Sequence, residues 1–521
     1  MIRNPVLPGF HPDPSILRVG DDYYLATSTF EWYPGVRVHH SRDLVHWRPI
    51  GGLLTERRLL DLSGVPDSGG VWAPDLSYHD GLFHLVYGVM DNYAHGYKDI
   101  ANFLVTAPSI DGPWSDPVRL PGRGFDAALF HDDDGGSWLL NMVFDSRPGH
   151  GFAGIELQPL AGGEPRTILA NRRLTEGPHL YRIDGWYYLM VAEGGTGYEH
   201  GITVLRSREL AGPYEEDPAG PMLTARHDPT LELQKAGHGC LVETQGGEWY
   251  VAHLAARPYT RRGPCVLGRE TAIQRVEWTD GWPRVAGGVP AVEVPAPDLP
   301  PHPHSHPHSR PHEPFAADWS TLRRPASPDW LRVEGDRLTI EGGQSPYGLR
   351  TPSLVARRVT SRTSSLETVV RFEPGSVHQS AGITAYYNSR NWHYLALTTD
   401  GLVLTSSDRG ERTVCATVEA VSGVGLRAEF DGPVLRFSYD VGHGWQAIPA
   451  ELDATILSDE HADEFVDGQV HAFGFTGAFV GLWVQDLAGE GCRAEFDRTI
   501  YRPAGPTAQD RQPGVTLGSV K

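Results

Sequence analysis

Cysteine is scarce in this chain. Four occur among 521 residues (Cys240, Cys265, Cys415, Cys492), far apart and without the paired spacing of a zinc knuckle. So few thiols exclude a disulfide-built scaffold and point to a reduced, cytoplasmic setting. No run of 18 apolar residues occurs, and the opening MIRNPVLPGFHPDPS has no apolar stretch. Neither a membrane-spanning helix nor a secretory leader is therefore expected. Positive charge is also short: 45 Lys and Arg face 65 Asp and Glu, for a formal charge of −20. That balance argues against nucleic acid or an anionic membrane as partner, since both recruit basic surfaces. Long amphipathic helical periods are missing too, which argues against helical bundles.

What the chain does have is turn-forming and aromatic residues: 60 Gly, 42 Pro, 20 Tyr and 14 Trp. This composition predicts an all-β protein of short strands and tight turns, too long for a single core. Five times in the first half, an Asp-Gly or Gly-Gly type turn leads into an aromatic strand. The copies are GDDYYLA (20–26), DGLFHLV (80–86), DGGSWLL (134–140), DGWYYLM (184–190) and GGEWYVA (246–252). Their marker positions, Tyr24, His84, Trp138, Tyr188 and Tyr250, are spaced by 60, 54, 50 and 62 residues. Each period has room for four short strands, so residues 1–294 are expected to form a five-bladed β-propeller. A second recurring element fits the outer strands of such blades: SRDLVHWRP (41–49), PSIDGPWSDP (108–117) and SRELAGPYEEDP (207–218).

The Pro/His-rich stretch 295–314, PAPDLPPHPHSHPHSRPHEP, reads as an extended linker, with metal capture by its histidines the lesser alternative. Residues 315–505 alternate in the two-residue period of strands and predict a β-sandwich; 506–521 read as a polar tail. A residue suited to chemistry precedes each marker. Asp13 stands 11 residues before its marker, while Trp72, Asp126, Glu176 and His238 stand 12 before theirs. If the aromatic strand is second in each blade, these five fall near the axis and share one funnel. Three carboxylates and an aromatic face are what glycoside hydrolysis requires: an acid for the leaving oxygen, a base or nucleophile, and a neighbour that tunes the acid. The triple aspartate of HDDDGG (131–136) is read instead as solvated turn residues.

Longer stretches carry a family resemblance: NPVLPGFHPDPSI, STFEWYPGVRVHHSRDLVHW, PDSGGVWAPDLSYHDG, GFDAALFHDDDG, TEGPHLY with EGGTGYEH, KAGHG, HLAARP and GRETAIQRVEWTDGWP. With these the chain resembles glycoside hydrolase family 43, and within it the two-domain β-xylosidases. The resemblance implies an inverting mechanism with Asp13 as general base, Glu176 as general acid and Asp126 as the carboxylate that orients and tunes Glu176. It implies Phe30 and Trp72 as aromatic walls of the sugar site and Arg269 as a hydrogen-bond donor to the sugar. It places His238 along the channel, with a water or a divalent cation such as Ca2+ as its partner; no cofactor is otherwise required. It implies that Phe479 reaches over the propeller site from the sandwich.

The expected activity is exo-cleavage of β-D-xylosyl units from short xylo-oligosaccharides. The rival within the class is α-L-arabinofuranosidase, or both activities together. The rival outside it is a non-catalytic carbohydrate-binding propeller, which would not need the complete carboxylate set. A homo-oligomer, dimer or tetramer, is also implied.

Overall fold

The computed structural model describes residues 1–301, 318–420, 422–466 and 469–504. Most of the Pro/His-rich stretch and the C-terminal tail thus lie outside the described residues. Among those described, the one α-helix is the single turn Asp459–Ala462; nearly everything else regular is strand.

Five blades of four or five strands follow one another along the chain. Their second strands are Asp22–Thr27, Leu82–Asn92, Ser137–Asp145, Trp186–Glu193 and Trp249–Ala256, which are the five aromatic segments. The first strands are Ser15–Val19, Asp75–His79, Ala128–His131, Glu176–Ile183 and Gln234–Glu243. Turn chemistry explains the marker. Asp80-Gly81 and Asp184-Gly185 hold positive φ at both residues (50° and 79°, 50° and 72°), as a tight two-residue hairpin demands. The N-terminal segment closes the ring: Ile2 pairs with Val294, Leu7 with Thr271, and His11 N donates to Arg269 O at 2.8 Å.

Within HDDDGG the expectation of solvated aspartates needs correcting for one residue. Asp133 and Asp134 are exposed, but Asp132 is buried and accepts from Arg182 (2.7 Å) and Tyr187 (2.9 Å), tying blade three to blade four.

The second unit is a sandwich of an eight-strand and a seven-strand antiparallel sheet. Its core follows the period-two pattern, with Leu366, Leu402, Leu404, Leu426, Phe437 and Leu482 all fully buried between the sheets. The two units interlock. Propeller residues Trp32–Tyr33 form the last strand of the eight-strand sheet, pairing with Trp319–Leu322. Arg323, fully buried, bonds Asp67 at 2.7 Å, while Ser389 donates to the same carboxylate.

Phe479 belongs to this junction and not to the sugar site. Its ring is 0% exposed, stacked on Trp32 at 3.9 Å and 12°, and edge-on to Phe10 at 5.9 Å. The reason is position: it opens strand Phe479–Asp486, whose register with Ser353–Arg358 and Gln379–Tyr386 pins it inside the sheet packing. Phe479→Ala is expected to cost about 3–5 kcal/mol through the cavity it leaves. Calorimetry should show a lowered Tm, and KM of the surviving folded enzyme should be unchanged.

Candidate active site

Asp13, Trp72, Asp126, Glu176 and His238 do converge, lining one axial pocket of about 400 Å³. They do not occupy one equivalent place, however. In four blades the chain enters its first strand through an irregularity whose residue takes left-handed backbone: Asp13 (φ 54°), Asp126 (55°), Gly177 (54°) and His238 (45°). Aspartate and histidine are among the few non-glycine residues that tolerate this conformation, which accounts for their recurrence. The preceding residue bonds to the second strand: Ser28 N donates to Pro12 O, and Met142 N to Phe125 O. Glu176 faces Ala192 and Gly237 faces Leu254 in the same way, each followed by a register shift. Glu176 therefore stands one residue earlier than Asp13, Asp126 and His238. It is level with Trp72, whose N donates to Gly88 O. Gly177 fills the left-handed place in blade four because a Cβ there would lie 3.0 Å from the His238 ring.

The offset sets the electrostatics. Asp13, buried, takes Arg269 Nη1 on Oδ1 at 3.1 Å, the Ser28 hydroxyl on Oδ2, and has His238 Nδ1 at 3.8 Å. Burial alone would raise its pKa, but Arg269, His238 and Ser28 outweigh burial and hold the carboxyl below its ordinary value. Among the described residues Glu176 has no such donor. Burial first, then the charge of Asp13, pushes it up to about 7, with Lys98 and Arg269 restraining the rise. Asp126 is raised well above the usual range by burial and by Glu176 and Asp13. Its Oδ2 accepts from Gly177 N at 3.0 Å, so it grips the peptide that follows Glu176. Asp126 and Glu176 together keep a proton at neutral pH while Asp13 is ionised.

Phe30 and Trp72 form a wall, centroids 6.3 Å apart, each held by backbone: Phe30 N to Val71 O, and Trp72 Nε1 to Ser68 O. Arg269 is 4% exposed and spans the site, donating also to Thr196 Oγ1 (3.1 Å) and twice to Phe475 O (3.2 and 2.9 Å). The aromatic that the sandwich lends to the pocket is thus Phe475, with Phe473 stacked on it at 4.4 Å and 16°. Phe475 lies 6.2 Å from Phe30 and 5.8 Å from Trp72. The segment is tied down where Ser68 Oγ donates to Phe473 O and accepts from Phe475 N.

Sequence reasoning missed several lining residues: Lys98, Phe125, Phe144, Thr196, His200, Phe473 and Phe475. The FGF of HAFGFTGAF, two aromatics flanking one glycine, was a usable signal for the last two. Lys98 had none. Its ammonium sits among four rings, 5.1 Å from Trp72, 5.6 Å from Phe125, 5.2 Å from Phe144 and 5.1 Å from Phe473. Burial lowers its pKa to about 8, while Glu176 and Asp126 oppose the drop.

The described residues around His238 supply few direct ligands for a divalent cation. Among the described residues no three His, Cys, Asp or Glu converge on a point that would hold one. The carboxylate at hand, Asp13, is already paired with Arg269, whereas Ca2+ takes six to eight oxygens. Lys98 acts on Glu176 through its charge. Lys98→Met removes a cation that favours the ionised form, so the alkaline limb of kcat/KM against pH should move upward. A downward shift or none would contradict that coupling.

Comparison with known proteins agrees with this geometry. Residues 2–283 match the description "Glycosyl hydrolases family 43", and residues 312–502 match "Beta xylosidase C-terminal Concanavalin A-like domain". The chain is 41% identical to a Vibrio protein named xylan 1,3-beta-xylosidase, covering 96% of this chain and 99% of that one. It is 43% identical to xylosidase/arabinosidase 43B of Humicola insolens, over 96% and 98%. The crystal structure of xylan beta-1,4-xylosidase from Bacillus halodurans superposes with a TM-score of 0.91 at 45% identity, covering 96% of this chain and all of that one. With its propeller, its concanavalin-like sandwich and three carboxyls gathered on the axis, the chain belongs to glycosyl hydrolase family 43.

Proposed function

We propose that this protein is an exo-acting, inverting β-xylosidase that removes β-D-xylosyl units from the non-reducing ends of short xylo-oligosaccharides. The observation that supports it most is the opposite setting of two carboxyls in one aromatic-walled pocket. Asp13 is held ionised by Arg269, and Glu176 stays protonated to about pH 7. In this reading Glu176 Oε gives its proton to the departing glycosidic oxygen as the C–O bond breaks. Asp13 takes a proton from the water that attacks the anomeric carbon from the opposite face. Asp126 acts on Glu176 through the Gly177 peptide and through charge. Arg269 orients Asp13 and meets a sugar hydroxyl, while Phe30, Trp72 and Phe475 wall the pocket around the sugar ring.

Exo action follows from the Phe473–Phe475 segment lying against the propeller mouth, where it limits how much of a chain can enter. The partners in this reading are small sugars, without nucleic acid or membrane, and the protein assembles as a homo-oligomer. A second reading, α-L-arabinofuranosidase activity in the same pocket, is favoured by the name of the Humicola relative. The names of the Vibrio and Bacillus relatives differ in linkage, so β-1,3- and β-1,4-xylobiose both belong in the test. Proton NMR of xylobiose hydrolysis should show α-xylose as the first anomer, with turnover above that of an α-L-arabinofuranoside. First-formed β-xylose would overturn inversion, and a large preference for the arabinofuranoside would overturn the substrate.

A further inference from the structure

Behind the site, where propeller meets sandwich, two arginines and two histidines face one another in the interior. Arg37 and His39 lie on the blade-one strand Gly35–Ser41, and His11 lies two residues before Asp13. Arg358 ends the sandwich strand Ser353–Arg358. Exposure is 1% for Arg37, 3% for Arg358, 5% for His39 and 7% for His11. Ser320 Oγ lies between the two guanidiniums, 3.1 Å from Arg37 Nη2 and 3.3 Å from Arg358 Nη1. The His11 and His39 rings meet edge to face at 4.8 Å.

Neutral acceptors use only part of this donor set. Arg37 Nη2 reaches Trp319 O at 2.9 Å, and Arg358 Nε reaches Phe10 O. Among the described residues, Arg37 Nε and Nη1, Arg358 Nη2, His11 Nδ1 and His39 Nδ1 are buried without a hydrogen-bond partner. Neither arginine forms an ion pair with any described residue. The carboxylate that faces them, Asp318, is hydrogen-bonded by Arg357 at 3.2 Å.

A guanidinium keeps its proton at neutral pH. Two positive charges are therefore enclosed here without a contacting carboxylate, with only Asp318 at longer range and, for Arg358, the Phe10 and Phe479 rings at 5.5 Å, and burying a charge without a close partner is costly. Burial drives the Arg37 pKa down to about 10, and burial together with Arg37 lowers Arg358. Burial and the two arginines also keep both imidazoles neutral, so the histidines add polar ring nitrogens but no charge. The orphan guanidinium donors come from two separate segments and call for both hydrogen-bond acceptance and negative charge.

We propose that Arg37, Arg358, His11 and His39 form an internal binding site for one small monovalent inorganic anion, of which chloride is the simplest. Full enclosure excludes sugars, carboxylic metabolites and polyphosphates. The bound anion neutralises the junction and links the sandwich, through Arg358, to the propeller strand carrying Arg37. It also supports the segment that presents Asp13, since His11 O accepts from Thr271 Oγ1 and His11 N donates to Arg269 O.

The test combines anomalous diffraction from crystals grown in sodium bromide with melting in chloride and in gluconate at equal ionic strength. A bromide peak is expected within hydrogen-bond reach of Arg37 Nη1 and Arg358 Nη2. Tm should be several degrees higher in chloride or bromide than in gluconate, because a ligand bound only by the native state stabilises it. That difference should vanish in Arg37→Met and shrink in His39→Leu, which removes a polar ring without changing charge and covers the case in which the arginine variant does not fold. Water density with no bromide signal, or an anion effect equal in wild type and variants, would overturn the proposal. Xyloside hydrolysis is read separately and does not bear on it.

Discussion

One guanidinium organises the site. Arg269 reaches Asp13 with Nη1, the blade-four loop through Thr196, and the sandwich through two bonds to Phe475 O. Its plane also lies 5.3 Å from the Phe30 and Phe475 rings. An arginine suits this work because its planar fork serves several acceptors at once without losing charge. The base, the loop beside the pocket and the segment over its mouth are thus positioned by the same group. The charge of Arg269 is spent mainly on Asp13, and that inequality separates the carboxyls.

The separation rests on a one-residue difference in the backbone. Asp13 and Asp126 occupy left-handed positions at the entry of their blades, whereas blade four places Gly177 there and Glu176 before it. Glu176 then faces Asp13 and Asp126 without a cation in contact, and Lys98, surrounded by rings, moderates it from a distance. Burial raises every carboxyl in such a pocket. The distribution of cationic and hydroxyl partners decides which one stays ionised.

Much of this was legible from local pattern. The hairpin turns at Asp80-Gly81 and Asp184-Gly185 are written in adjacent residues, and the blade period follows from their spacing. The axial cluster was legible because position in a repeat maps to position in a blade. The offset of Glu176 was not, since a bulge shifts register without leaving a mark that residue counting detects. Phe479 was misplaced for a related reason: within HAFGFTGAF every phenylalanine looks alike until strand pairing buries the last and leaves Phe473 and Phe475 at the mouth. Asp132 looked like a turn residue because Arg182 and Tyr187, its partners, arrive from the next blade. The Arg37–Arg358 junction joins two domains, and nothing near either residue announces the other.

In one pocket Asp13 is ionised while Glu176 holds its proton up to about pH 7. The pH dependence of kcat/KM on an unactivated xylobiose tests it most directly, because this parameter reports the free enzyme. A raised acid is competent below its pKa and lost above it, and a lowered base is competent above its pKa and lost below it. The account predicts a bell with an alkaline midpoint at about 7 and an acid midpoint below the ordinary aspartate range. An alkaline midpoint near the ordinary glutamate value, about 4.3, would contradict it.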